Sequence, residues 1–280
     1  MVRLRLIFAG LLLAGLALAQ NVTGPVGTGV YGVRRPVVAG GGAFTWTDPY
    51  AWDAIWTMQT SNTVGILDTS GNNHTLTSAV PPMVYIGGVN QNGDTTYVRR
   101  HNVTNSSLAY INTNLTVFSG TNDYTIFAWF KTWSSASVRG ALIQADFDGN
   151  HIFGLQVSDV ADWVRFYTYE AAESSVVLTS TNVAAITNMS TAYHFFVGVK
   201  TGTVGSVWFD GVYITNATVK NVTAVSKIGN GSGLYGATPT YYYPVEGFIG
   251  ACGMGRGAAS GTQITNMWLY MNPTNYVRAE

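Results

Sequence analysis

Tyr124-Thr-Ile-Phe-Ala-Trp-Phe-Lys-Thr132, Tyr193-His-Phe-Phe-Val-Gly-Val-Lys200, Ser206-Val-Trp-Phe-Asp-Gly-Val212 and Val245-Glu-Gly-Phe-Ile-Gly250 follow one another in the second half of the chain. The first alternates, with Ile126, Ala128 and Phe130 on one face and Phe127, Trp129 and Lys131 on the other, which predicts a strand. The third breaks at Asp210-Gly211, a dipeptide that tolerates the positive φ angles of a tight hairpin turn. Around these lie further strand-like runs: Leu108–Ile111, Ala141–Gln144, Ile152–Val157, Trp163–Tyr169 and Val176–Leu178. Short strands separated by Gly, Asn and Asp at roughly 8–12-residue spacing predict an antiparallel sandwich and not a parallel α/β sheet.

Composition agrees. The 280 residues are 13% aromatic and only 10% charged, with 32 glycines. Lysine plus arginine total 14, as do aspartate plus glutamate. Zero net charge, with no basic cluster beyond pairs such as Arg34-Arg35 and Arg99-Arg100, argues against nucleic acid as a partner. A neutral surface suits a glycosylated protein or a subunit of an assembly. The single cysteine, Cys252, reads as a small buried hydrophobe on a core strand.

Residues 1–19 carry Arg3 and Arg5, an apolar run from Leu6 to Ala19, and Ala17-Leu-Ala19 before Gln20. This is the pattern of a secretory signal peptide, shorter than the ~20 residues that span a bilayer; the alternative is an uncleaved hydrophobic arm, either a membrane anchor or a buried piece of an assembly. The expected location is therefore extracellular. Residues 20–43 are rich in Gly and Val and end in Gly40-Gly-Gly42, and read as an extended arm or linker. The folded domain is expected over 44–280. Its opening stretch, from Asp48 to Met58, is anchored by Trp52, Ile55 and Trp56. A short closing helix is expected where Ser260-Gly-Thr-Gln263 forms a capping box and Ile264, Met267 and Trp268 share one face.

The turn Asp68-Thr-Ser-Gly-Asn-Asn-His-Thr-Leu76, the succession of strands above and the closing helix together resemble the laminin-G-like, concanavalin-A-like jelly-roll family over about Trp52 to Tyr270. The resemblance implies an all-β, antiparallel two-sheet jelly-roll sandwich with a short C-terminal helix. It also implies a binding module more often than an enzyme. Glycosidases of this fold carry Glu-x-Asp-x-x-Glu or a close variant on one strand. Here the glutamates are Glu170, Glu173, Glu246 and Glu280, and none stands in that motif. Glu170 and Glu173 read as solvated residues of a loop after Tyr169. His194 matches the family's strand histidine, a structural residue. Calcium is the one cofactor the resemblance suggests, with Asp68, Asp146 and Asp148 as oxygen ligands, set against the alternative that these belong to polar turns.

Aromatics on exposed loops suggest glycan binding, and Tyr241, Tyr242 and Tyr243, with Trp163, are the candidates. Asn-x-Ser/Thr sequons begin at Asn21, Asn73, Asn102, Asn105, Asn114, Asn188, Asn216, Asn221 and Asn230, and are candidate glycosylation sites in a secreted protein. The resulting expectation is a secreted, non-enzymatic module that binds a glycan or an extracellular protein. The alternative is a structural subunit of a virion, tail fibre or filament that self-assembles through its N-terminal arm. A glycosidase is disfavoured.

Overall fold

The computed structural model describes residues 52–58, 66–78, 83–89, 95–101, 109–112, 122–132, 139–146, 151–158, 163–170, 173–180, 189–190, 192–222, 227–231, 233–235, 240–242 and 245–271. All belong to one unit, Ala43–Glu280. The expected signal segment and arm lie outside the described residues.

Two antiparallel sheets face each other. The eight-stranded sheet runs β13 (Val212–Thr218), β12 (Val204–Phe209), β11 (His194–Thr201), β6 (Tyr124–Thr132), β17 (Gly247–Arg256), β4 (Thr95–His101), β3 (Met83–Val89). β1 (Ala54–Trp56) pairs with β17 beyond the end of β4, Trp56 lying opposite Cys252. The seven-stranded sheet runs β10 (Glu173–Ser180), β9 (Trp163–Glu170), β8 (His151–Ser158), β7 (Arg139–Asp146), β14 (Lys227–Asn230), β5 (Ala109–Asn112), β2 (Thr77–Ser78). A separate two-stranded ladder joins β15 (Gly233–Tyr235) to β16 (Thr240–Tyr242). The all-β antiparallel sandwich expected from sequence is the architecture observed.

The alternation of β6 does what its sequence dictates. Ile126, Ala128 and Phe130 meet Phe153, Leu155, Val164, Phe166 and Ile228 of the other sheet, with Phe196 and Phe209 beside them. Phe127 and Trp129 turn the other way and are also buried, against Phe195, Val197, Ile264 and Met267. A strand at the sheet centre thus has no wet face. Its outer face is covered by the one helix among the described residues, α1 (Gly261–Met271). The capping box forms as read: the Ser260 amide donates to Gln263 Oε1 at 2.8 Å, and the Gln263 amide to Ser260 Oγ at 3.3 Å.

Some boundaries move. β7 and β10 extend beyond Ala141–Gln144 and Val176–Leu178, and β17 continues past Gly250 to Arg256 through Gly250-Ala-Cys-Gly253-Met-Gly255. Close strand approach needs those small residues: a Cβ on Gly253 would stand 2.7 Å from Ala54 O and 2.9 Å from Phe127 Cε1. Glu170 and Glu173 are not loop residues. They end β9 and begin β10, opposite each other, and Glu170 Oε1 lies 3.6 Å from His151 Nε2. Cys252 is buried between sheets as expected, and burial pushes its thiol well above the ordinary range.

The β12–β13 hairpin turns on Asp210 (φ 52°) and Gly211 (φ 77°), the two consecutive positive angles of a type I′ turn. Asp210 ties the turn to β11: its carboxylate accepts from the Phe195 amide at 2.8 Å and holds His194 Nδ1 at 2.7 Å, while its amide donates to Phe195 O. His194, stacked on Phe209, is structural here.

Lys200 is buried at the far end of β11, donating to Asn122 O at 3.2 Å beneath the Tyr124 ring. Burial lowers its pKa below 10.5, and Asp123 opposes the shift. The unfolded chain therefore holds this proton more tightly, so the Lys200 contribution to stability rises with pH up to the unfolded value. Urea midpoints compared at pH 7 and pH 9.5 should show that contribution as a relative gain of the wild type over Lys200→Met; equal pH responses contradict it. Gly211→Ala should cost about 1–2 kcal/mol in urea denaturation, because it places an L residue at positive φ with its Cβ 3.1 Å from Trp268 Cε3.

Candidate functional site

The Asp68 turn is a closed hydrogen-bond unit. Oδ1 accepts from the amides of Ile55 (3.0 Å) and Ser70 (2.9 Å), and Oδ2 from Ser70 Oγ (2.8 Å) and the His74 amide (2.9 Å). Four donors occupy the acceptor sites of one carboxylate. Asn72 and the Trp56 indole add bonds that dock the turn on β1. Its geometry gives Asp68 the work of closing this turn. Asp146 ends β7 in the other sheet, opposite Lys227 and Ile152. Asp148 lies outside the described residues. Among the described residues no group of three or more His, Cys, Asp or Glu side chains is placed to hold a metal.

Other described aspartates also have structural partners. Asp53 holds the Arg256 amide at 2.6 Å and Nε at 2.9 Å, and Asp123 accepts from the Gly202 amide at 2.6 Å.

The aromatic candidates separate. Trp163 opens β9, opposite Ser158. Tyr241 and Tyr242 lie on β16, opposite Leu234 and Gly233. Tyr243 is outside the described residues. Of the sequons, Asn73, Asn216 and Asn221 are exposed. Asn230 is a correction: it is fully buried, and its Nδ2, the atom a glycan would need, donates to Leu142 O (3.2 Å) and Cys252 Sγ (3.1 Å). Asn21, Asn102, Asn105, Asn114 and Asn188 are outside the described residues.

Two arrangements escape the sequence reading. One is a polar row on the seven-stranded sheet. Gln156 Oε1 accepts from Arg165 Nε (2.8 Å) and Nη2 (2.5 Å), Tyr167 hydroxyl bonds Gln144 Oε1, and the Arg165 guanidinium lies 5.5 Å from the Tyr167 ring centre. Gln144, Gln156 and Tyr167 are buried, so the row braces the sheet and presents little surface.

The other is an aromatic platform at the end of the eight-stranded sheet. Trp208 lies opposite Tyr213, their rings edge to face with centroids 5.4 Å apart. Trp268 of α1 closes over the turn between them, against Gly211, and Gly261 at the start of α1 abuts the Trp208 ring. Tyr213 is 45% exposed and Val212 60%. Trp208 and Trp268 are half-buried against the helix core. Next along the sheet, Ser206 lies opposite Asn216. Neither β12 nor β13 carries a charged residue. The signal was present in sequence: a two-residue turn at Asp210-Gly211 fixes the Trp208–Tyr213 pair.

No protein-family model matches the chain, and no curated protein matches it by sequence. Solved structures do resemble it. A botulinum neurotoxin type C structure, described through interaction with two ganglioside molecules, gives a TM-score of 0.57 at 12% identity, covering 78% of this chain and 50% of that one. The receptor-binding domain of botulinum neurotoxin C/D mosaic serotype gives 0.58 at 11%, covering 78% and 51%. The binding domain of botulinum neurotoxin DC in complex with rat synaptotagmin II gives 0.55 at 11%, with the same coverage. The chain spans about half the length of these structures. The likeness is one of fold, an antiparallel jelly-roll β-sandwich.

Asp68→Ala and Asp68→Asn should each cost about 1–3 kcal/mol in chemical denaturation, since either leaves part-buried donors without an acceptor. Wild-type stability in both variants contradicts this role.

Proposed function

We propose that this domain is a secreted, non-enzymatic binding module of the laminin-G-like kind, and that its ligand is a neutral glycan. The observation that carries the reading is the platform of Trp208, Tyr213 and Trp268. Aromatic faces pack on the apolar faces of sugars, and neighbouring hydroxyl and amide groups hydrogen-bond their edges. Ser206 and Asn216 supply those polar groups beside the rings. The absence of charge on β12 and β13 favours an uncharged ligand over a sialylated or sulfated one. Half-burial against α1 holds the rings in place before binding, which limits the entropy lost on association. The structural neighbours support a binding role by analogy, two being binding domains and one described with gangliosides, but gangliosides are sialylated, so the neutral ligand rests on β12 and β13 alone. Calcium, with Asp146 and Asp148 among its oxygen ligands, belongs to this proposal as an ordering element.

A glycan array followed by calorimetry tests it. Tyr213→Ala and Trp208→Ala should each weaken binding of the selected neutral glycan about tenfold or more, which is about 1.4 kcal/mol. Tyr241→Ala and Trp163→Ala should leave it unchanged. Loss of binding confined to either of the latter variants moves the site to that residue, and silence across the array rejects a glycan ligand.

A further inference from the structure

We propose that Asn216 carries an N-linked glycan and that the sugars nearest the protein lie on the rings of Tyr213 and Trp208, capping the aromatic platform. Asn216-Ala-Thr218 is a sequon on β13. Among the described residues it is the sequon whose asparagine and threonine are both exposed. Asn230 is sealed inside, and in Asn73-His-Thr75 the threonine is half-buried. The fold therefore accepts a glycan at Asn216 without rearrangement.

The register of the hairpin aims that glycan at the platform. Tyr213 and Asn216 stand three residues apart, and on a regular strand they would face opposite sides of the sheet. The strand is not regular. Val207 pairs with Thr215 and Trp208 with Tyr213, so Ile214 is an extra residue in the ladder, the mark of a β-bulge. Ile214 packs on the shared core, and Tyr213 returns to the face that Asn216 occupies. Ser206, opposite Asn216, and Trp208, opposite Tyr213, are two residues apart and share that face. Asn216 thus lies diagonal to Trp208, at about 7–8 Å. A sugar joined to its Nδ2 starts beside the two rings, and its apolar face closes on them as a bound ligand would. The tether makes this contact intramolecular, so even a weak attraction keeps the rings covered.

Attachment is a substitution at the anomeric carbon of a sugar carried on a polyprenyl diphosphate, catalysed by the transferase of a glycosylating secretory pathway. The Asn216 nitrogen forms the bond to C1, and the C1–O bond to the diphosphate breaks. The amide gives up one proton and the polyprenyl diphosphate leaves. The amide that contacts a free ligand in the unmodified chain becomes the anchor of a competing sugar. Occupancy at Asn216 then sets the fraction of chains open to ligand. This inference rests on the sugar-binding platform proposed above and adds its regulation.

The full chain, placed behind a secretion signal, is produced in a glycosylating host and in one that does not glycosylate. Glycopeptide mass spectrometry of the first product should find Asn216 occupied; an empty Asn216 overturns the proposal. Thr218→Ala removes the sequon, keeps the Asn216 amide and falls at an exposed position. From the glycosylating host the wild type should melt about 2–4 °C above Thr218→Ala, after subtracting the difference between the same two chains from the other host. In a Tyr213→Ala background that gap should close. The glycosylated wild type should also bind the selected neutral glycan about tenfold or more weakly relative to Thr218→Ala from the same host. A gap that persists without Tyr213, no gap with Asn216 occupied, or equal affinities would each overturn the capping. If the unglycosylated chain binds no glycan on the array, the free-ligand reading fails, and the Tyr213-dependent gap still decides where the Asn216 glycan lies.

Discussion

Burial of both faces of the central strands governs this structure. β6 and β11 are closed on the inner side by the second sheet and on the outer side by α1. A sandwich sheet ordinarily leaves one face wet, and polar residues then alternate with apolar ones. Here Phe127, Trp129, Phe195 and Val197 replace the polar set, and a helix has to cover them. Removing such a large aromatic group from a closed core costs about 3–5 kcal/mol. The capped helix is therefore an obligatory part of the fold and not a trailing appendage.

The helix in turn shapes the surface. Ile264 and Met267 seat it on β6 and β11, which fixes where Trp268 falls. Trp268 packs on the turn at Gly211, and that turn fixes the pairing of Trp208 with Tyr213. A chain of packing contacts thus runs from the doubly buried strands to the aromatic platform. The other sheet is organised differently. Its polar row of Gln144, Gln156, Arg165 and Tyr167 is bonded internally, and its inward side faces the shared core.

Local patterns read well from sequence where local physics decides them. The alternation of β6, the positive-φ turn at Asp210-Gly211, the capping box at Ser260 and the self-closing turn at Asp68 all form as their residues dictate. Readings that depend on distant contacts fare less well. The strand expected to Gly250 runs on to Arg256, where its glycines let β1 and β6 press close. Asn230 carries a sequon, yet its neighbours in space, Leu142 and Cys252, seal it inside. The pairing of Trp208 with Tyr213 was legible from the turn, whereas its exposure was not, because only the position of α1 decides which rings are covered.

The most direct measurement is the indole spectrum of the protein by NMR during titration with a neutral glycan selected on the array. The account predicts that the Trp208 and Trp268 indole signals shift in a saturable way while those of the buried Trp56 and Trp129 stay in place. Saturable shifts at Trp163, with Trp208 and Trp268 unmoved, would contradict it.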